Sequence, residues 1–227
     1  MGAMGAMTRR RRVSPVTLVA LVMLMAGIAL VGNAAWEFYG TGIVTMRAVE
    51  QEKGELSRQW AMPTSDGMQS PVPAPGDAPA PGSTAWLIRI PRLGQDYEWP
   101  VLAGVEPEDL AKGVGWFPTS ALPGEIGNFA LAGHRVTHGE PFRNLLDLRV
   151  GDDVIVETRE AVFTYRITNA PKDLTVDFTE SWVLDPVPGS PGSAPTKAMI
   201  TLTTCQSFFH TPDRSVAFGV LESAELK

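Results

Sequence analysis

At 227 residues the chain has room for one substantial domain and a further segment, but not for several domains. Its net charge of −6 hides an asymmetry: Arg9, Arg10, Arg11 and Arg12 stand together, and the remaining 15 Lys and Arg face 25 Asp and Glu, leaving the body at about −10. That balance excludes a nucleic-acid partner, which needs clustered Lys and Arg for its phosphates, and the single cysteine excludes an intramolecular disulfide framework.

Residues 1–12 form a basic tail, of which 1–7, MGAMGAM, read as a repeated start rather than structure. Residues 13–36, VSPVTLVALVMLMAGIALVGNAAW, contain no charged side chain. Crossing a bilayer takes about 20 apolar residues, so this stretch is expected to be a transmembrane signal anchor. A cleaved secretory signal is the alternative, with Gly32 to Ala35 as the small residues of a cleavage site. The four arginines predict a cytoplasmic N-terminus and an extracytoplasmic body.

Residues 37–84 divide in two. RAVEQEKGELSRQW, 47–60, predicts a short juxtamembrane helix whose polarity suggests solvent exposure. MPTSDGMQSPVPAPGDAPAPGST, 62–84, has too few large apolar side chains to offset the entropy of ordering it. Its Pro-rich part is expected to be extended and to hold the next domain off the membrane.

Residues 85–227 read as a β domain. AWLIRI, YEWPVLAG, NFALAG, DVIVE, AVFTYRIT, AMITLTTC and VAFGVL are short aliphatic and aromatic runs bounded by or close to Gly, Pro, Asp or Asn. In AVFTYRIT, Phe163, Tyr165 and Ile167 alternate with Val162, Thr164 and Arg166, the period of a half-buried strand. DVIVETREAVFTYRIT predicts a hairpin turning near Arg159 and Glu160. Helical signals are short, at EPEDLAKG and FRNLLDL, too few for the crossovers of a doubly wound sheet. A mostly antiparallel barrel or sandwich fits better.

Cys205 ends the β-branched run AMITLTT, where the chain leaves a strand and a thiol can be exposed and reactive. A buried structural thiol is the plainer alternative. QSFFHTPDR follows and sets Arg214 nine positions on, where a guanidinium folding back would favour the thiolate and donate to an oxyanion. A cysteine nucleophile works with a histidine. His134, directly after the apolar strand NFALAG, is the leading candidate, ahead of His210 in a polar loop and His138 in the turn VTHGE.

TLTTC with Arg214 nine residues on, and AGH at 132–134, resemble the signature of the sortase family. The likeness extends to IPRLG, WPVLAG, LPGEIGNFALAGHR and the pattern from Pro141 to Asp152, about three-fifths of the chain. It implies a closed eight-stranded β-barrel, preceded here by the N-terminal membrane helix, with Cys205, His134 and Arg214 as catalytic residues and no cofactor. The implied activity is cysteine transpeptidation: Cys205 attacks a sorting signal between Thr and Gly and forms a thioester, His134 moves protons, and Arg214 with the backbone near Thr204 holds the oxyanion. Implied partners are secreted proteins bearing the signal and an amine of a peptidoglycan precursor, lipid II-like.

TLTTC, AGHR and PGEIGN are most similar to class E housekeeping sortases of high-GC Gram-positive bacteria, whose signal begins Leu-Ala rather than Leu-Pro. Members of that class tend to carry Tyr before PGE, where this chain has Trp116 and Phe117, so the choice of signal stays open. Thr203, Phe117 and Trp182 are further candidates for substrate contact; the resemblance implies that the loop 177–195 borders the substrate groove, and packing is the alternative role for Trp182 within it. No ligand spacing for a metal is present. A pilus-polymerising sortase and a surface cysteine hydrolase remain the alternatives.

Overall fold

The structure, a computed structural model, describes residues 14–36, 40–62, 78–205 and 211–227. The chain forms two compact units, residues 1–40 and 41–227. In the first, helix α1 runs Pro15–Ala35. Ser14 caps it, its hydroxyl accepting from the Thr17 N–H at 3.2 Å, and Pro15 occupies the first turn, where its missing N–H costs nothing. None of the 21 helical residues is buried in the protein.

The second unit begins with α2, Thr41–Ala61, longer than the helix expected over 47–60. The expectation of a solvent-exposed helix also needs correction. Thr45, Val49 and Leu56 fall on one face and are buried, and two of the charged residues that suggested exposure, Glu52 and Lys53, bond to the barrel, while Arg47, Glu50, Glu55 and Arg58 are exposed. Glu52 accepts from the Thr84 hydroxyl at 2.5 Å and pairs with Lys112 at 3.4 Å, Lys53 pairs with Glu98 at 2.8 Å, and the Thr45 hydroxyl donates to the Ala111 carbonyl at 2.9 Å. Most of the Pro-rich stretch expected to act as a spacer, residues 63–77, lies outside the described residues.

Nine strands follow: β1 Thr84–Arg89, β2 Glu98–Ala103, β3 Val114–Trp116, β4 Gly127–Ala132, β5 Asp153–Glu157, β6 Ala161–Asn169, β7 Thr175–Asp177, β8 Ala198–Cys205 and β9 Asp213–Leu226. Their hydrogen-bonded order is β6-β5-β1-β2-β3-β4-β8-β9, and β6 pairs again with β9, which closes an eight-stranded barrel. β7 adds to β9 outside that ring. Six of the eight ring pairings are antiparallel; β2 with β3 and β4 with β8 are parallel. The helical signal in EPEDLAKG becomes α3, Pro107–Leu110, inside the β2–β3 crossover, and FRNLLDL contains a 3-10 turn at Leu145–Asp147.

The predicted alternation in β6 holds, with Phe163, Tyr165 and Ile167 buried and their neighbours partly exposed. The β5–β6 turn falls where expected, the Thr158 hydroxyl accepting from the N–H groups of Glu160 and Ala161 at 3.2 and 3.0 Å. Inside the barrel Trp86 stands edge-on to Trp116 and Phe129, with centroids 5.3 and 5.4 Å apart, and Ile200 and Leu202 of β8 complete the layer. The Trp116 indole also donates to the Ala121 carbonyl at 3.0 Å. Trp116→Ala is therefore expected to cost about 3–5 kcal/mol through cavity and lost contacts. Denaturant unfolding of the variant beside the parent chain measures this.

Candidate active site

The site is set by the end of β8. Side chains alternate along this strand: Ile200 and Leu202 face the core, while Thr203 and Cys205 are partly exposed. β9 runs antiparallel beside it, and its register sets Cys205 directly across from Arg214. Residues opposed in such a ladder project to the same side, with Cβ atoms about 5 Å apart. Nine positions of sequence are thus closed into one cross-strand pair.

The other neighbour of β8 is β4, parallel to it with Ala132 level with Thr203. The chain continues this pairing past the strand end, for the Gly133 N–H donates to the Thr203 carbonyl at 3.2 Å and the Thr204 hydroxyl donates to the Gly133 carbonyl at 2.8 Å. His134 lies two residues beyond Ala132, as Cys205 lies two beyond Thr203, so the histidine segment leaves β4 at the same end of the barrel at which β8 ends in Cys205. Gly133 is needed at this passage, because a Cβ there would fall 2.7 Å from the Phe142 ring. The backbone of that same Phe142 donates to the His134 carbonyl at 2.9 Å and ties the histidine segment down.

Burial of the His134 imidazole lowers its pKa from 6.5 to about 4, and the nearby His138 ring adds to the shift. His134 is therefore neutral at pH 7, in the state that can accept a proton from a thiol. Arg214 is fixed by Nη1, which donates to the carbonyls of Thr211 and Asp213 at 2.9 and 3.1 Å, and its guanidinium lies 5.9 Å from the centre of the Phe178 ring. Arg135, next to His134, is a second guanidinium at the site that sequence reasoning did not single out. It is buried, which lowers its pKa, while Cys205 and Asp147 act electrostatically in the opposite sense. Its only sequence signal was its place in AGHR.

Thr203 and Thr204 flank Cys205, Thr204 bonding the strand to the histidine segment and Thr203 sharing the exposed side with the thiol. Phe117 and Trp182 are not brought to this end. The Phe117 N–H donates to the carbonyl of Ala130, which is level with Thr201, and Trp182 packs 6.3 Å from Phe218, also across from Thr201. Both lie four residues back along β8 from Cys205, about 13 Å at the rise of a strand. Trp116, beside Phe117 in sequence, is core. Of the alternative histidines, His138 stacks on His134 and His210 lies outside the described residues.

Fold and site together define a closed barrel that aligns a thiol, an imidazole and a guanidinium at the ends of three neighbouring strands. The sortase domain model matches residues 88–222. Sortase SrtE1 of Streptomyces coelicolor is 30% identical over 210 residues, which cover 87% of this chain and 54% of that protein, so the chain spans about half the length of this relative. The structure of sortase E from Streptomyces avermitilis is 37% identical and superposes with a TM-score of 0.58 over 65% of this chain and 93% of that one. That of sortase E1 from Streptomyces coelicolor with a tripeptide in the active site is 33% identical, with a TM-score of 0.56 over 65% and 93%. The chain belongs to the sortase family and is class E-like within it.

The low pKa of His134 links this site to stability. The unfolded chain binds the histidine proton first, near pH 6.5, whereas the folded chain resists it until about pH 4. Stability is thus untouched by this group above about pH 6.5 and falls as pH drops toward 4. Denaturation midpoints measured from pH 7 to 4 should decline less steeply in His134→Gln than in the parent; parallel declines would assign the loss elsewhere.

Proposed function

We propose that this chain is a membrane-anchored cysteine transpeptidase that cuts a sorting signal between Thr and Gly and joins the new Thr carboxyl to an amine of a cell-wall peptidoglycan precursor. The observation that carries the proposal is the paired register: Cys205 across from Arg214 on one side, and the His134 segment leaving β4 at the same barrel end on the other. Three residue types that acyl transfer needs come together from strands that share one sheet edge to edge.

In this reading neutral His134 accepts the Cys205 proton as the thiol sulfur attacks the Thr carbonyl. The carbonyl π electrons move to oxygen, and the oxyanion lies against the Arg214 guanidinium and the backbone near Thr204. Collapse breaks the Thr–Gly bond, the His134 imidazolium gives its proton to the departing Gly amine, and a thioester remains on Cys205. An incoming amine then attacks the thioester carbonyl, His134 takes its extra proton, and as the C–S bond breaks to leave the new Thr amide the imidazolium returns that proton to the Cys205 sulfur and regenerates the thiol. The tripeptide named in the active site of the Streptomyces coelicolor sortase E1 structure supports a peptide ligand for this chain as well.

α1 supports the membrane part of the proposal. At about 1.5 Å per residue its 21 residues reach about 31 Å, the thickness of the hydrocarbon layer, with a mean hydropathy of 2.4 over its best window. Arg9 to Arg12 before it favour a cytoplasmic N-terminus and an extracytoplasmic barrel.

The test is mass spectrometry of the full chain in detergent, given Leu-Pro-x-Thr-Gly or Leu-Ala-x-Thr-Gly peptides and an amine acceptor. A product joined after Thr is expected from the parent and none from Cys205→Ala. Arg214→Lys, which loses the planar fork but keeps the charge, should lower kcat/KM about a hundredfold to a thousandfold. Release of Thr as free acid at any amine concentration would instead mark a hydrolase, and absence of cleavage with Cys205 inert to alkylation would overturn the reading.

A further inference from the structure

Beyond the three residues of the proposed reaction, the segment leaving β4 carries a strained backbone conformation. His138 and Glu140 are the non-glycine residues with left-handed backbone among those described, at φ 54° and 55°. For a residue with a Cβ this conformation is strained and persists only where surrounding structure enforces it. Here the enforcement is visible. The His138 N–H donates to the Thr41 hydroxyl in the first turn of α2 at 3.4 Å, and Gly139, at φ 73°, comes so close to α2 and β2 that a Cβ would meet Thr45 and Trp99 at 2.9 Å each. Tyr97 donates its hydroxyl to the Pro141 carbonyl at 2.7 Å and pins the far end.

The effect of this conformation is to lay the His138 ring on the His134 ring, centroids 4.8 Å apart and planes 26° from parallel. Nδ1 of His138 is also hydrogen-bonded to the Thr137 hydroxyl, 3.0 Å away, which fixes the ring's own orientation. Stacking on a clamped neighbour restricts rotation of the His134 ring about its last side-chain bond and so holds its plane.

We propose that His138 is a positioning residue for His134, and that α2, through Thr41 and Thr45, holds His138 in the backbone conformation that makes the stack. This rests on the role given to His134 above. His138 is given no part in the bond-making steps; it acts on the His134 ring beneath it by fixing the imidazole plane. A displacement of reacting groups by about 1 Å can cost a hundredfold in rate, which sets the scale of the effect.

The experiment compares His138→Ala and His138→Phe in the full chain, by steady-state kinetics and by NMR of the His134 ring. The proposal expects His138→Ala to lower kcat about tenfold to a hundredfold with KM within about twofold, and to shift the His134 ring signals. His138→Phe, which keeps the stacked ring, should restore kcat to within about threefold of the parent and leave those signals near their original positions. Unchanged kcat and unmoved His134 signals in His138→Ala would overturn the proposal, as would equal impairment of the Ala and Phe variants. Should His138→Ala fail to fold, His138→Gln replaces it with the same expectations. If the parent chain joins no amine at all, the functional reading fails while the NMR comparison still decides whether His138 orients His134.

Discussion

Everything at the site depends on β8 having two partners of opposite direction, β9 antiparallel and β4 parallel. An antiparallel neighbour brings to the end of β8 a residue that starts the next strand, and Arg214 arrives there. A parallel neighbour brings a residue that leaves its own strand at the same height, and His134 arrives there. Neither arrangement alone brings both groups to one thiol. The barrel must close, through β6 and β9, for both neighbours to be held without a free edge on either side of β8.

The apolar interior enforces this register. A slip of one residue along β8 would exchange Ile200 and Leu202 for Thr201 and Thr203 in the core, and would turn Cys205 inward. The aromatic layer of Trp86, Trp116 and Phe129 and the aliphatic faces of β1 and β4 therefore define the site from a distance, through the cost of misalignment. The polar bonds at the end, from Thr204 to Gly133 and from Gly133 to Thr203, extend that alignment past the last apolar pair.

Much of this was legible in the sequence, and the failures have physical reasons. The seven longer strands carry enough β-branched and aromatic residues to stand out, and His134 was favoured because it follows such a strand directly. β3 and β7 were not identifiable: each has three residues, below the length at which alternation can be read. α2 was underestimated because only Thr45, Val49 and Leu56 face the barrel while Glu52 and Lys53, which look like solvent-facing charges, find partners on β1 and β2. Phe117 and Trp182 were named from loop position, which says nothing about height along the barrel, and the ladder sets both at the level of Thr201. The His134–His138 stack was beyond sequence reasoning, since the turn of VTHGE gives no hint that α2 enforces it.

The one cysteine of the chain, partly exposed at the end of β8, separates two kinds of vulnerability. No disulfide contributes to the barrel, so its folding is indifferent to whether the surroundings are oxidising or reducing. In the proposed reaction the thiol has no such indifference: peroxide would take it to a sulfenic acid and onward to forms unable to attack a carbonyl, with no second cysteine in the sequence to intercept the first step as an internal disulfide. Oxidative damage would accumulate as intact, well-folded and silent protein, invisible to any quality control that senses unfolding.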